Sequence, residues 1–351
     1  MQEHVKSIVA WSAAGAAAVI AVRAVTRYAR SIRLDGKSVF ITGGARGLGL
    51  VLAREFAREG ARIAICGRDA DELERAEHDL RQRGAEVITV RCDVTDRADV
   101  DRAVDSVLKI FGTIDILVNN AGLIQVGPFE EMTVDDFEAT LRTHFWGPLY
   151  TTLAVLPAMR RRGMGRIVNI SSIGGRISVP HLLPYSASKF ALTGLSEGLR
   201  AALAQENIHV TTVLPGLMRT GSPINALFKG QNRAEYAIFS ISDSIPILSI
   251  SAERAAQKIV NACRHGDAEL TISLPAKLAG WFHGLFPGLT ADALGVVNRI
   301  LPGPGGVGAR NTAGRDSTSI LAPSWATYLS DQAAVQNNEV ASMNRPAQAR
   351  T

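Results

Sequence analysis

Short apolar runs alternate with amphipathic stretches through the middle of the chain. The runs are SVFITG (38–43), ARIAICG (61–67), EVITVRCD (86–93), IDILVNN (114–120), GRIVNIS (165–171), HVTTVLPG (209–216) and ELTIS (269–273). Each is rich in β-branched residues and lacks strict apolar–polar alternation. That pattern predicts strands buried on both faces. The intervening stretches suit crossover helices, so the pattern predicts an α/β fold with a doubly wound parallel sheet and helices on both faces.

The two ends of the chain read differently, and three regions follow: residues 1–33, 34–274 and 275–351. In the first, Ile8 to Val22 carries no charge, and Arg23, Arg27, Arg30 and Arg33 follow it. A bilayer span needs about 20 apolar residues, so this run is short, but Lys6 and Arg23 can snorkel. A cleaved signal peptide is disfavoured, because the positive charge comes mostly after the apolar run. A membrane anchor is expected, with an Ala-rich soluble helix as the alternative. The arginine-rich flank would keep the main domain on the cytoplasmic side. In the third region Leu278, Trp281, Phe282, Leu285, Phe286 and Leu289 fall at helical spacing on one face. Pro287 is expected to kink or end that helix, and Leu294 to Leu301 forms a second apolar run. Residues 302–319, PGPGGVGARNTAGRDSTS, read by composition as a flexible connector.

The net charge of +5 is modest and much of the excess is local arginine, so nothing points to nucleic acid. Cys66, Cys92 and Cys263 are widely spaced without a CxxC. This suits a reduced, intracellular protein without a disulfide framework or metal site.

Two stretches carry chemistry. The first strand runs into Thr42-Gly43-Gly44-Ala45-Arg46-Gly47-Leu48-Gly49 and then a helix. Glycines there allow a tight turn and close approach to a pyrophosphate, and the helix N-terminus supplies N–H groups and a positive dipole end. In PYSASKF (184–190), Tyr185 and Lys189 lie four residues apart, on one helical face. An ammonium near a phenol favours the phenolate and is expected to lower its pKa, which suits a general acid or base.

Further marks stand in order: Asn119-Asn120-Ala121-Gly122 after the fourth strand, Ser171-Ser172 after the fifth, and Pro215-Gly216 at the end of the sixth. With TGxxxGxG and YxxxK, they make residues 34–273 resemble the short-chain dehydrogenase/reductase family. The resemblance implies a Rossmann-type sheet of about seven strands, a nicotinamide cofactor, and a homodimer or homotetramer. It assigns the cofactor to Gly43, Arg46, Gly47, Leu48, Gly49, Arg68, Asp93, Val94, Asn120, Ala121, Gly122, Tyr185, Lys189, Pro215, Gly216 and Thr220. It makes Tyr185 the proton donor or acceptor, Lys189 a ribose contact, and Ser172 the hydroxyl that polarises the substrate oxygen. Ser171 competes, but spacing to the tyrosine favours Ser172. The family's asparagine before the fifth strand falls on His144, a departure. His144 would either join a proton relay or be a satisfied buried histidine.

NAD-preferring folds place a carboxylate at the end of the second strand. Here Gly67 holds that place and Arg68 follows, with Arg46 in the glycine loop. Two cations and no anion suit a 2′-phosphate, so NADP(H) is expected over NAD(H). Asp69 reads as a helix cap, and Asp93 as an adenine contact or an ordinary strand-end cap. Gly221 to Ser249 is expected to form a substrate lid, with Phe228, Tyr236, Phe239, Ile245 and Leu248 favouring an apolar substrate. The function expected is NADP(H)-dependent hydride transfer on a lipophilic carbonyl or alcohol drawn from a membrane. The alternatives are a soluble ketoacyl-type reductase and a non-catalytic NADP-sensing scaffold.

Overall fold

The computed structural model describes residues 21–340 and, before them, Trp11, Gly15 and Ala18. The apolar run proposed as a membrane anchor lies almost entirely outside the described residues. Among the described residues no helix is long and apolar enough to cross a membrane.

All seven apolar runs become strands of one parallel sheet. They are β1 (Ser38–Thr42), β2 (Arg62–Gly67), β3 (Val87–Arg91), β4 (Ile116–Asn119), β5 (Gly165–Ile170), β6 (Ile208–Pro215) and β7 (Glu269–Ile272), in the order β7-β6-β5-β4-β1-β2-β3. The order reverses between β1 and β4. In an open parallel sheet that switch point opens a crevice beyond the carboxyl ends of the strands.

The continuous apolar runs follow from burial on both faces. Val39 and Ile41 of β1 join one core with Ile63, Ile65, Ile116, Val118 and Val168. Phe40 points the other way, with Ala64, Leu117, Ile167 and Val210. The first core is covered by α1 (Gly47–Arg58) and α8 (Ala252–His265). The second is covered by α3 (Arg97–Phe111) and α5 (Gly147–Arg162). Each fully buried aliphatic side chain contributes about 1.5–3 kcal/mol, so the two cores hold the sheet flat against its helices. α2 (Ala70–Gln82) starts where expected: the Asp69 carboxylate accepts from the Glu72 N–H at 2.9 Å. α4 (Val134–Leu141) runs through a π-helical turn, Arg142–Trp146, into α5. Pro148 has no N–H to offer the His144 carbonyl, which accounts for the widened turn. α6 (Leu183–Ala202) carries Tyr185 and Lys189, and α7 (Asn232–Ser244) lies in the segment expected to form a lid.

The C-terminal region is no loose appendage. Pro287 ends one apolar helix and opens the next: α9 is Leu274–Leu285 and α10 is Pro287–Ile300. Their apolar residues stay exposed, among them Trp281 (67%), Leu285 (73%) and Ile300 (80%). The glycine-rich connector is ordered, contrary to its composition. Gly230 donates to the Gly308 carbonyl at 2.9 Å, and Thr312–Ala313 pairs antiparallel with Leu227–Phe228. Backbone hydrogen bonds to neighbouring loops replace the flexibility that glycine would otherwise bring. The chain then enters α11 (Tyr328–Gln336), packed against α7 and the loop after β6. At the other end, residues 21–29 are helical and tied down: Arg27 is bidentate to Asp267 at 2.8 and 3.0 Å, and the Ile32 N–H donates to the Arg264 carbonyl.

Gly221, at φ +86°, shows how tightly α11 is seated: a Cβ there would collide with the backbone of Ala334. Gly221→Ala should therefore cost about 2–4 kcal/mol in denaturant unfolding and make α11 the first protease-sensitive site. Unchanged stability with unchanged protection would contradict this packing.

Candidate active site

The glycine loop is shaped for close approach. Gly43 and Gly47 have φ of +61° and +55°. A Cβ on Gly49 would fall on the Gly43 carbonyl oxygen, and one on Gly43 would lie 2.8 Å from Ala121 Cα. Asn120 staples this loop to the end of β4. Its side-chain amide donates to the carbonyls of Thr42 (3.1 Å) and Gly43 (3.0 Å), while the Thr42 hydroxyl accepts from the N–H groups of Asn120 and Ala121. Leu48 and Gly49 are buried in the first turn of α1, where the dipole favours an anion. These residues fit the pyrophosphate of a dinucleotide.

Around the crevice, Gly122 approaches His144, and Val94 packs under Gly147. Arg68 is exposed and lies 4.0 Å from the Asp93 carboxylate. Asp93 itself accepts from the N–H and hydroxyl of Thr95 at 2.9 and 2.8 Å. Pro215 ends β6, the Gly216 N–H bonds the Ile272 carbonyl, and buried Thr220 accepts at its hydroxyl from Ser222.

Ser172, Tyr185, Lys189 and His144 come together. Ser171 does not join them: its hydroxyl bonds the Lys189 carbonyl and Thr193 at 3.0 and 2.9 Å. The Ser172 oxygen accepts from the Gly174 N–H at 3.0 Å and lies on the side of the Tyr185 phenol, where it favours the phenolate. Lys189 Nζ stands 5.6 Å from the Tyr185 ring centre and donates to the Ile170 carbonyl at 2.8 Å.

The electrostatics correct one expectation. The Tyr185 phenol is raised above its ordinary value, not lowered: its crowded surroundings penalise phenolate, and Ser172 only partly opposes that. Tyr185 keeps some accessible surface, so this is the push of a crowded cleft wall and not of a sealed core. Lys189 is itself pulled down by burial, to about 7. An ammonium that burial disfavours, turned toward a carbonyl, does not dominate the phenol.

His144 is fully buried and held well below the ordinary histidine value, by burial first and by Lys189 second. Its Nε2 accepts from the Leu123 N–H at 3.0 Å, which requires the lone pair there. Nδ1 therefore carries the proton and donates to Ser188 Oγ at 2.7 Å, and Ser188 in turn donates to the Tyr185 carbonyl at 2.7 Å. Both ring nitrogens are engaged with protein, and the chain of bonds leads to the backbone of Tyr185, not to its phenol. Of the two expectations, the geometry is that of the satisfied buried histidine. A neutral imidazole ties the loop after β4 to the helix bearing Tyr185.

The segment expected to form a lid is tied down by buried polar pairs that the sequence did not mark. His181 Nδ1 and the Glu235 carboxylate lie 2.6 Å apart, both buried. Lys229 Nζ lies 2.5 Å from Asp136. Phe228 and Tyr236 are buried in a small core of their own with Val126 and Ala237, with Phe239 packed against it; they do not line an open pocket, because the segment must first bury its own apolar side chains. Ile245 and Leu248 are exposed.

A last group was not foreseen. Glu339 forms an ion pair with Arg46, and the Asn337 carbonyl accepts from the Gly47 N–H at 2.8 Å. The expectation of two cations and no anion at the nucleotide end therefore fails. Glu72 also stands 3.3 Å from Arg46, but Glu339 comes from 293 positions downstream, and no local pattern marks it.

Residues 37–227 match the family model described as short chain dehydrogenase. The chain is 35% identical to a dehydrogenase/reductase SDR family protein 7-like of Anopheles gambiae, over 72% of this chain and 80% of that protein. It is 35% identical to the oxidoreductase SadH of Mycobacterium tuberculosis, over 69% of this chain and 88% of that one. Among solved structures it is similar to L-sorbose reductase from Gluconobacter frateurii, complexed with NADPH and L-sorbose. There the TM-score is 0.62 and the identity 29%, covering 68% of this chain and 95% of that one. An actinorhodin polyketide ketoreductase with NADPH gives a TM-score of 0.61 and 29% identity, covering 68% and 97%.

The state of His144 predicts a pH effect. The unfolded chain takes up a proton at this residue below about pH 6.5, and the folded chain does not. The stability held by the neutral ring is therefore present above that pH and lost as pH falls, at about 1.4 kcal/mol per unit. His144→Asn should lack this slope in denaturant titrations below about pH 6. Parallel slopes for the two proteins would show that the imidazole titrates in the folded state.

Proposed function

The chain belongs to the short-chain dehydrogenase/reductase family and is an oxidoreductase, and from that premise we propose NADP(H)-dependent hydride transfer on a lipophilic carbonyl or alcohol. The observation that carries this proposal is the convergence of Ser172, Tyr185 and Lys189 at the carboxyl edge of the sheet. The nicotinamide, when bound, supplies or accepts the hydride. Ser172 orients the substrate oxygen. Tyr185, its phenol kept protonated at neutral pH, donates a proton to that oxygen as negative charge grows there. Lys189 holds a ribose hydroxyl of the cofactor and supplies the charge that makes loss of the phenolic proton tolerable. His144 holds the backbone of Tyr185 in place and takes no proton.

NADP(H) is supported by Gly67 at the place of the usual acid, by Arg46 and Arg68 nearby, and by NADPH in the two similar reductases. A lipophilic substrate and a membrane setting are supported by α9 and α10. Leu274, Leu278, Trp281, Leu285, Leu289 and Ile300 all stand exposed there, a larger apolar surface than a lone soluble chain ordinarily shows. This hairpin would lie in the bilayer interface, with the N-terminal apolar run as a second attachment and the catalytic body on the cytoplasmic side. The same hairpin disfavours a freely soluble ketoacyl-type reductase.

Tyr185→Phe tests the chemistry: NADPH oxidation with steroid, retinoid, fatty aldehyde or β-keto lipid should fall at least about 10²-fold, with NADPH affinity within about threefold. Retained turnover would remove Tyr185 from the reaction, and no turnover of any carbonyl by the wild type would favour a sensing scaffold. Replacing Trp281 and Leu285 together by Glu should release the protein from phosphatidylcholine vesicles. Unchanged partitioning of that variant, and of a chain lacking Met1 to Arg33, would end the membrane proposal.

A further inference from the structure

The segment after α11 crosses the nucleotide crevice. Asn337 gives its carbonyl to the Gly47 N–H and its side-chain amide to the Thr220 carbonyl at 3.3 Å, and takes a bond from Arg54 at 3.2 Å. Asn338 donates to the carbonyls of Ala45 (2.9 Å) and Glu72 (3.0 Å) and accepts from Arg75 at 2.7 Å. Glu339 pairs with Arg46, accepts from Asn225 at 2.6 Å, and keeps only 4% of its side chain exposed. Three residues thus join the glycine loop, the start of α2 and the loop after β6, which are the walls of the switch-point crevice.

The contacts are made with the groups best suited to an anion. The Gly47 N–H opens α1, and Arg46 is the guanidinium beside it. Burial works against the charge of Arg46, and Glu339 and Glu72, the latter at 3.3 Å, more than offset it. A carboxylate from the chain's own end thus sits on the cation that a 2′-phosphate would use.

We propose that residues 337–339 form a strap over the adenosine end of the coenzyme crevice, and that Glu339 sets coenzyme preference through its hold on Arg46. A 2′-phosphate, carrying nearly two negative charges, must displace this carboxylate to reach the guanidinium. A ribose 2′-hydroxyl need not, since it can donate to the carboxylate as it would to the acid that Gly67 replaces. A 2′-phosphate therefore opens the Glu339–Arg46 pair, whereas NAD(H) leaves that pair closed. The inference rests on the dinucleotide reading of the crevice, but not on which coenzyme the wild type prefers.

The test is Glu339→Gln in the full chain, with Kd for NADPH and NADH measured by nicotinamide fluorescence. NADPH should bind at least about fivefold tighter to the variant, and more so at low salt, with NADH unchanged or weaker. An unchanged NADPH-to-NADH ratio would overturn the proposal. A wild type that prefers NADH would correct the coenzyme named above yet leave the strap standing, provided the ratio still shifts. Hydrogen exchange on the wild type gives an independent readout that needs no variant. NADPH should speed exchange of peptides covering residues 334–340, and NADH should slow it or leave it unchanged. The same change with both coenzymes would also overturn the proposal.

Discussion

The junction between the carboxyl ends of β1 and β4 is the constraint on which the site depends. Two parallel strands that leave the sheet in opposite directions open a crevice, and nothing in the sheet ladder holds its lips together. Thr42 and Asn120 do so with four hydrogen bonds. They fix the glycine loop relative to Ala121, and Gly43 and Gly49 can have no side chain because the two segments touch. From Leu123, three residues beyond Asn120, the connection passes through the His144 ring and Ser188 to the backbone of Tyr185. The glycine loop and the backbone of Tyr185 are parts of one hydrogen-bonded framework.

That framework is neutral where it is most buried. His144 stays uncharged, Lys189 is pulled toward neutrality, and Tyr185 resists ionisation, each because low-dielectric surroundings penalise charge. A permanent phenolate is therefore disfavoured at Tyr185. Buried polar side chains nearby come in pairs: Lys229 with Asp136, and His181 with Glu235. Lys229 ties the segment after β6 to α4, and Glu235 ties it to the loop before Tyr185.

The C-terminal region does two unlike things. α9 and α10 leave their apolar faces outward, whereas the connector and α11 fold back on the body and bring Asn337, Asn338 and Glu339 to the nucleotide end. If the hairpin rests on a bilayer, the strap and the lipid surface belong to one continuous stretch of chain, and access of substrate and access of coenzyme are governed by neighbouring segments.

The sequence by itself determined what depends on neighbours along the chain. Seven β-branched runs became seven strands because each must bury both faces. Asp69 became a cap, Pro287 divided two helices, and Tyr185 and Lys189 shared a helical face because four residues make about one turn. Only the tertiary structure decided what depends on distant segments. Burial raised the phenol that a local charge was expected to lower. His144 found Leu123 and Ser188, and Phe228 and Tyr236 packed inward. The glycine-rich connector was ordered by loops it meets only in space. Glu339 reached Arg46 across 293 positions, where periodicity and spacing carry no information because the contact is made by the closing of the whole fold.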